Sequence, residues 1–99
     1  MILVRSMFHA KFGQAGRLVQ MFTNPADMPE SLRLPARVLT DLSGPFDTVA
    51  VEQVVESIDD FQRRMRAMFA ASQGEGASNP MTELVASGQR EYYTIKAER

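Results

Sequence analysis

Four side chains of this 99-residue sequence could do chemistry together: Arg5, His9, Glu52 and Tyr92. A histidine exchanges protons near neutral pH, a carboxylate accepts one, and an arginine holds an anionic group. Together with a phenol in one cleft, they would form a tentative catalytic group. The alternative is structural: Arg5 and Glu52 form an ion pair that sets the strand register, and His9 is a hydrogen-bonded interface residue.

The motifs of common cofactor and metal sites are absent from the sequence. His9 is the only histidine and there is no cysteine, so a paired-histidine site, a disulfide and thiolate chemistry are excluded within one chain. Neither the glycine-rich dinucleotide motif nor the nucleophile elbow G-x-S-x-G occurs. We therefore expect no cofactor and no metal.

Composition argues against several classes of partner. The 11 basic and 12 acidic residues give a net charge of −1, which favours neither nucleic acid nor an anionic membrane. No apolar run approaches the roughly 20 residues of a membrane helix, and the start has no signal-peptide pattern, so a cytoplasmic location is the default expectation.

We expect one domain, residues 1–99. A chain of this size buries only roughly 60–65% of its unfolded surface, so a partner subunit would stabilise it.

The clearest structural pattern runs from Arg37 to Ala70. The dipeptide Gly44-Pro45 indicates a turn between two strands, the second of which, Thr48 to Glu56, is rich in valine. Ser57 then caps a helix. Its apolar residues recur at helical spacing on one side, at Ile58, Phe61, Met65, Met68 and Phe69.

The flanking segments predict further elements. A first strand runs from Ile2 to Ala10 and is followed by a helix from Phe12 to Phe22, with Phe12 on its apolar side. Residues 24–35 carry three prolines and predict a loop, and the small, polar segment from Ser72 to Asn79 predicts mobility. Asn79-Pro80 and Gly88 then indicate the start and end of a short helix, before a last strand at Arg90 to Lys96.

This order predicts an α+β fold, the ferredoxin-like βαββαβ sandwich. Right-handed crossovers place both long helices on one face of a four-stranded, antiparallel-type sheet. We expect the first and third strands to be central and parallel to each other.

Strand alternation predicts that the other face of the sheet is partly apolar. On this mixed face we place alternate residues of the first and third strands: Leu3, Arg5, Met7 and His9, and Thr48, Ala50, Glu52 and Val54. We also expect Tyr92 on this face, whereas the face of Asp41 depends on the length of the turn. Apolar surface of this kind indicates an interface, so we expect a homodimer joined through the sheet faces.

The sequence resembles the dimeric α/β-barrel superfamily, which includes antibiotic-biosynthesis-type monooxygenases, small stress-responsive barrel proteins and NIPSNAP-like domains. The resemblance lies in the segments MILVRSMFHAKFGQAGRLV, LTDLSGPFDTVAVE and FQRRMRAMF. It implies two sheets paired as a dimeric α+β barrel. Haem-degrading members use a tryptophan in the cleft, and this chain has none, which argues against haem degradation.

The resemblance leaves two classes of function open, because a fold does not decide function. One is a non-catalytic domain that binds a small, apolar molecule or serves assembly. The alternative is a cofactor-independent, monooxygenase-like enzyme acting on an apolar or aromatic small molecule. A cavity that opens onto His9 would favour the enzyme.

Overall fold

The computed structural model describes residues 1–24, 34–72 and 81–99, without the side chains of 68–72 and 81–82. Apart from their ends, the predicted loop at 24–35 and the predicted mobile segment Ser72 to Asn79 lie outside these residues. No helix among the described residues is long and apolar enough to cross a membrane. The elements in chain order are β1 (Ile2–Ala10), α1 (Ala15–Thr23), β2 (Ala36–Thr40), β3 (Thr48–Val55), α2 (Ile58–Ser72), α3 (Met81–Leu84) and β4 (Val85–Thr94).

The four strands form one antiparallel sheet in the order β2-β3-β1-β4. The predicted ferredoxin-like arrangement is confirmed, with β1 and β3 central. Their predicted parallel pairing is wrong, because β3 runs antiparallel to β1. The physical reason is the short hairpin, which reverses the chain after β2, so that β3 lies between two strands of the opposite direction.

The core lies on the face of the sheet that α1 and α2 cover. Under α1, the fully buried Leu18 packs with Val49 of β3. Under α2, Phe61 packs with Val4 and Val55. The prediction that the helices cover the face of β1 and β3 opposite to the mixed face is therefore confirmed. The predicted cap of α2 is also present, because the N–H of Asp60 donates to the hydroxyl of Ser57 at 3.1 Å.

Helix α1 begins three residues later than its apolar pattern predicts. Gly13 has a φ of +79°, which lies in the left-handed region and is incompatible with a right-handed helix. The N–H of Gly13 donates instead to the carboxylate of Asp47, in the hairpin between β2 and β3. Phe12 therefore lies outside the helix and is 90% exposed, so its predicted place on the apolar side of the helix is wrong.

Strand β4 is longer than predicted, and the short helix before it is shorter. α3 ends at Leu84, and β4 pairs with β1 from Val85 to Thr94, so residues 85–87 are strand rather than helix. Long-range backbone hydrogen bonds to β1 outweigh the local helical pattern. Gly88 accordingly lies inside a strand, where a Cβ would come within 3.0 Å of the carbonyl oxygen of Met7.

This close approach predicts opposite effects for two glycine substitutions. We expect Gly88→Ala to lower the free energy of unfolding by about 1 kcal/mol, because the strand must shift away from β1. The control, Gly16→Ala in α1, meets no atom within 4 Å and should raise it by up to about 1 kcal/mol. Urea unfolding of both variants at one protein concentration measures the difference. Equal effects of the two substitutions would contradict the predicted close contact.

Candidate functional site

The mixed face is organised around the carboxylate of Glu52. Antiparallel pairing places Arg5 of β1 and Arg37 of β2 directly opposite Glu52, on its two sides. The Nε–H of Arg5 donates to one carboxylate oxygen at 2.8 Å, and a terminal N–H of Arg37 donates to the other. The predicted Arg5–Glu52 pair is therefore present, as part of a three-residue ionic group.

Glu52 is buried although none of the described helices lies on its face of the sheet. Its side chain is 3% exposed, whereas those of Arg5 and Arg37 are 36% and 74% exposed. Burial by itself would raise the pKa of the Glu52 carboxyl, but the hydrogen bonds from the two guanidinium groups outweigh burial and lower that pKa. Glu52 is consequently an ionised, fully engaged group rather than a proton donor.

A second pair of polar groups lies beside Arg5. Its guanidinium carbon lies 5.3 Å from the ring centre of Tyr93 in β4, a cation–π arrangement. The Tyr93 hydroxyl donates to the carboxylate of Glu91, which raises the pKa of the phenol. The mixed face thus carries two arginines, Arg5 and Arg37, against two glutamates, Glu52 and Glu91, and these four charges balance.

His9 lies apart from the ionic group, near one end of the mixed face. Its strand neighbours are Thr48 and Ser87, and its Nδ1 is 3.5 Å from the hydroxyl oxygen of Thr48. Asp41 closes the adjacent hairpin, since its carboxylate accepts the backbone N–H of Thr48 at 3.0 Å. His9 and Arg5 therefore share a face, but Met7 lies between them on that face of β1.

Tyr92 is on the opposite face of the sheet, so the predicted placement beside His9 is wrong. The register pairs Tyr92 with the buried Val4. Its ring packs edge-on against Phe61 of α2, with ring centres 6.2 Å apart. The adjacent Tyr93 occupies the mixed face instead. The structure thus brings together Arg5 and Glu52, places His9 on the same face, and separates Tyr92 from all three.

Tyr92 contributes to an open cleft of about 370 Å³ between α2 and β4, which we call the α2/β4 cleft. Arg90 of β4 extends across it. The Nε–H of Arg90 donates to the buried hydroxyl of Ser6 at 2.9 Å, and its guanidinium carbon lies 5.1 Å from the ring centre of Phe61. The lining residues are Phe61, Gln62, Met65, Arg66, Arg90 and Tyr92.

A second open cleft, of about 470 Å³, lies on the mixed face beside the ionic group, where Leu3, Arg37, Glu52 and Val54 contribute to its lining. His9 lines neither of these two clefts. Among the residues that the structure describes, no three acidic or histidine side chains are grouped to hold a metal ion.

Sequence reasoning missed several polar residues of these sites, among them Arg37, Ser6 and Arg90. A signal for Ser6 was present, because it is the polar residue among Ile2, Val4 and Phe8 on the covered side of β1. A buried hydroxyl needs a hydrogen-bond partner. The partner, Arg90, is 84 residues away in the chain, so only the strand register could identify it.

Comparison with known proteins gives similarity of structure but not of sequence. No protein-family model and no curated protein matches the chain. A NIPSNAP domain protein from Burkholderia xenovorans has a TM-score of 0.75 at 11% identity, over 98% of this chain and 96% of that one. A NIPSNAP family protein from Agrobacterium tumefaciens has a TM-score of 0.74 at 17% identity, over 94% and 90%.

A further similar structure is a single-site mutant of MhuD with two manganese protoporphyrin IX molecules bound per active site. Its TM-score is 0.76 at 15% identity, over 100% of this chain and 98% of that one. Likeness at such identity concerns the fold and leaves function open. The chain therefore has the ferredoxin-like α+β fold of NIPSNAP family proteins and MhuD, and its resemblance to the dimeric α/β-barrel superfamily is confirmed at the level of the fold.

Proposed function

We propose that this protein is a homodimer joined through the mixed faces of its sheets, and that each subunit binds a small molecule in its α2/β4 cleft without catalysis. The observation that carries the proposal is the pattern of exposure on the sheet. Apart from the α2/β4 cleft, α1 and α2 cover one face of the sheet, whereas the mixed face leaves large apolar side chains in water. These are Leu39, Val54 and Tyr93, which are 41%, 41% and 43% exposed.

The mixed face has the chemistry of a surface that pairs with a copy of itself. Covering one apolar side chain fully contributes about 1.5–3 kcal/mol, so partial cover of several contributes substantially to a small domain's stability. The charges of Arg5, Arg37, Glu52 and Glu91 balance, and Glu52 is already paired on both oxygens. Burying this face against a second copy therefore buries equal numbers of positive and negative groups, which avoids the strongly destabilising case of an uncompensated buried charge.

The ligand part of the proposal is supported by the position of the α2/β4 cleft. This cleft opens on the side of the sheet opposite to the mixed face, so pairing through the mixed faces leaves it accessible. Its volume of about 370 Å³ lies within the usual range for small-molecule sites. The MhuD mutant, which has a similar fold, holds two manganese protoporphyrin IX molecules per active site, so this fold can hold a large aromatic ligand.

The geometry favours binding over catalysis. A catalytic group needs its acid, base and cation around one substrate position. Here His9 lines neither open cleft, and Tyr92 is on the other face from His9 and Arg5. The catalytic role of Arg5, His9, Glu52 and Tyr92 stays a prediction, and so does the monooxygenase-like alternative.

The dimer is tested by placing a charge on the mixed face. We expect the parent protein, with a subunit mass of 11.1 kDa, to sediment as a dimer at micromolar concentration. Val54→Asp should shift it to monomer, because a carboxylate would be buried without a partner. The control is Ile58→Asp, since Ile58 is also 41% exposed but lies in α2. The control should remain dimeric.

The melting temperature gives a second measure of the same equilibrium. It should rise with protein concentration for the parent and for Ile58→Asp, but not for Val54→Asp. A parent protein that sediments as a compact, folded monomer would refute the proposed dimer.

A further inference from the structure

We infer that the α2/β4 cleft selects small, aromatic carboxylates, and that the guanidinium of Arg90 binds the carboxylate. This inference rests on the proposed ligand site and adds the chemical class of the ligand. Three features of the cleft support it: the contacts that hold Arg90 in place, the lack of a carboxylate partner for Arg90 within the described part of the chain, and the aromatic side chains that form the walls.

Arg90 is held in place from two sides. Its Nε–H donates to the hydroxyl of Ser6, a residue that is 6% exposed, and its planar group lies over the ring of Phe61. Both contacts restrict the rotation of a long side chain before a ligand arrives, which lowers the entropic cost of binding. An arginine has five N–H donors, so the bond to Ser6 leaves the two terminal nitrogens available for the fork that matches a carboxylate.

Arg90 differs from four other arginines of the chain in its charge environment. Four arginines are paired with Glu52 or Asp60 in ion pairs. Within the described part of the chain, Arg90 and its cleft neighbour Arg66 form no ion pair with a carboxylate. The α2/β4 cleft therefore holds two positive groups that an anionic ligand could neutralise.

The walls of the cleft suit an aromatic body beside that carboxylate. Phe61 and Tyr92 meet at an interplanar angle of 77°, and Met65 adds a flexible, polarisable side chain. A flat ring can pack against these side chains while its carboxylate reaches Arg90. A cleft of about 370 Å³ admits one or two fused rings rather than a folded partner.

The test compares two probes of nearly equal shape, 1-naphthoate and the neutral 1-naphthamide, by NMR titration of the intact chain. We expect 1-naphthoate to bind about tenfold more tightly, because a hydrogen bond to a charged group contributes more than a neutral one. Arg90→Gln should remove this preference while the affinity for 1-naphthamide changes by less than about twofold. The matched control is Arg17→Gln, on the exposed side of α1, which should keep the preference.

A second variant retains the charge and removes only the positioning contact. Ser6→Ala deletes the hydroxyl that holds Arg90, and we expect it to reduce the preference for 1-naphthoate about threefold. The ratio of the affinities for the two probes would not change if Ser6 only stabilised the fold, since the affinities for both probes would then fall together. Ser6→Ala also provides the test if Arg90→Gln does not fold.

The outcomes separate this inference from the proposed function. The parent protein could bind the two probes with equal affinity, with chemical-shift changes in α2 and β4. This result would overturn the role of Arg90 and keep the cleft as a ligand site. An unchanged preference in Arg90→Gln would do the same. Binding of neither probe at millimolar concentration would overturn both the inference and the proposed ligand site.

Discussion

Replacing Phe61 with alanine should lower the free energy of unfolding by about 3–5 kcal/mol, the largest effect we expect from a single substitution. Phe61 is 2% exposed and joins α2 to the sheet through Val4 and Val55. Its removal leaves a cavity and also deletes the ring contacts to Tyr92 and Arg90. Because small domains have a margin of roughly 5–15 kcal/mol, a large part of the stability would be lost.

The matched control is Phe12→Ala. Phe12 is 90% exposed, so the same substitution should change the free energy of unfolding by less than about 0.5 kcal/mol. Urea unfolding followed by circular dichroism, at one protein concentration, measures both variants. A loss below about 1 kcal/mol for Phe61→Ala would mean that α2 is not packed on the sheet as described.

Replacing Glu52 with glutamine should lower the free energy of unfolding by about 2–3 kcal/mol at pH 7. The amide offers one acceptor to two guanidinium groups and turns its own N–H donors toward one of them. The expected loss is below that of a fully buried ion pair, because Arg37 is 74% exposed and can be hydrated. The control is Glu56→Gln, an exposed position beyond the end of β3, where a change within about 0.5 kcal/mol is expected.

The effect of Glu52 should depend on pH in a defined direction. The folded protein lowers the pKa of this carboxyl from its ordinary value of 4.5. A lowered pKa means that the folded state favours the ionised form, so the contribution to stability is present above about pH 4.5 and is lost as the pH falls through the folded value.

The difference in stability between the parent and Glu52→Gln should therefore shrink progressively as the pH is lowered below 4.5. Unfolding curves collected at a fixed protein concentration from pH 7 into the acid range measure it. A difference that stays constant over this range would contradict a charge-dependent role of Glu52.

Local patterns in the sequence determined the class of the fold. β-branched residues at alternate positions of β1 and β3, and apolar residues at helical spacing in α2, predict these elements because each pattern matches one backbone geometry. The same alternation determined correctly that Val4 and Val55 face the helices, whereas Arg5 and Glu52 face away. These assignments need no knowledge of how the strands pair.

Strand pairing decided what local patterns could not. The direction of β3 follows from the hairpin that joins it to β2, and the start of β4 follows from its pairing along the whole of β1. Tyr92 and Tyr93 favour a strand equally, so propensity leaves open which of them faces α2. A shift of one residue exchanges the two faces of a strand, and only the register with β1 places Tyr92 against Phe61.

The polar sites likewise depended on tertiary structure. The sequence indicated that Arg5 and Glu52 could meet, because both lie on central strands of the sheet. It did not indicate Arg37 as the second partner of Glu52, nor the contact between Ser6 and Arg90, which are 84 residues apart. Hydrogen bonds of this kind form between strands that are distant in the chain, so the sequence supplied the charged groups and the tertiary structure alone decided their partners.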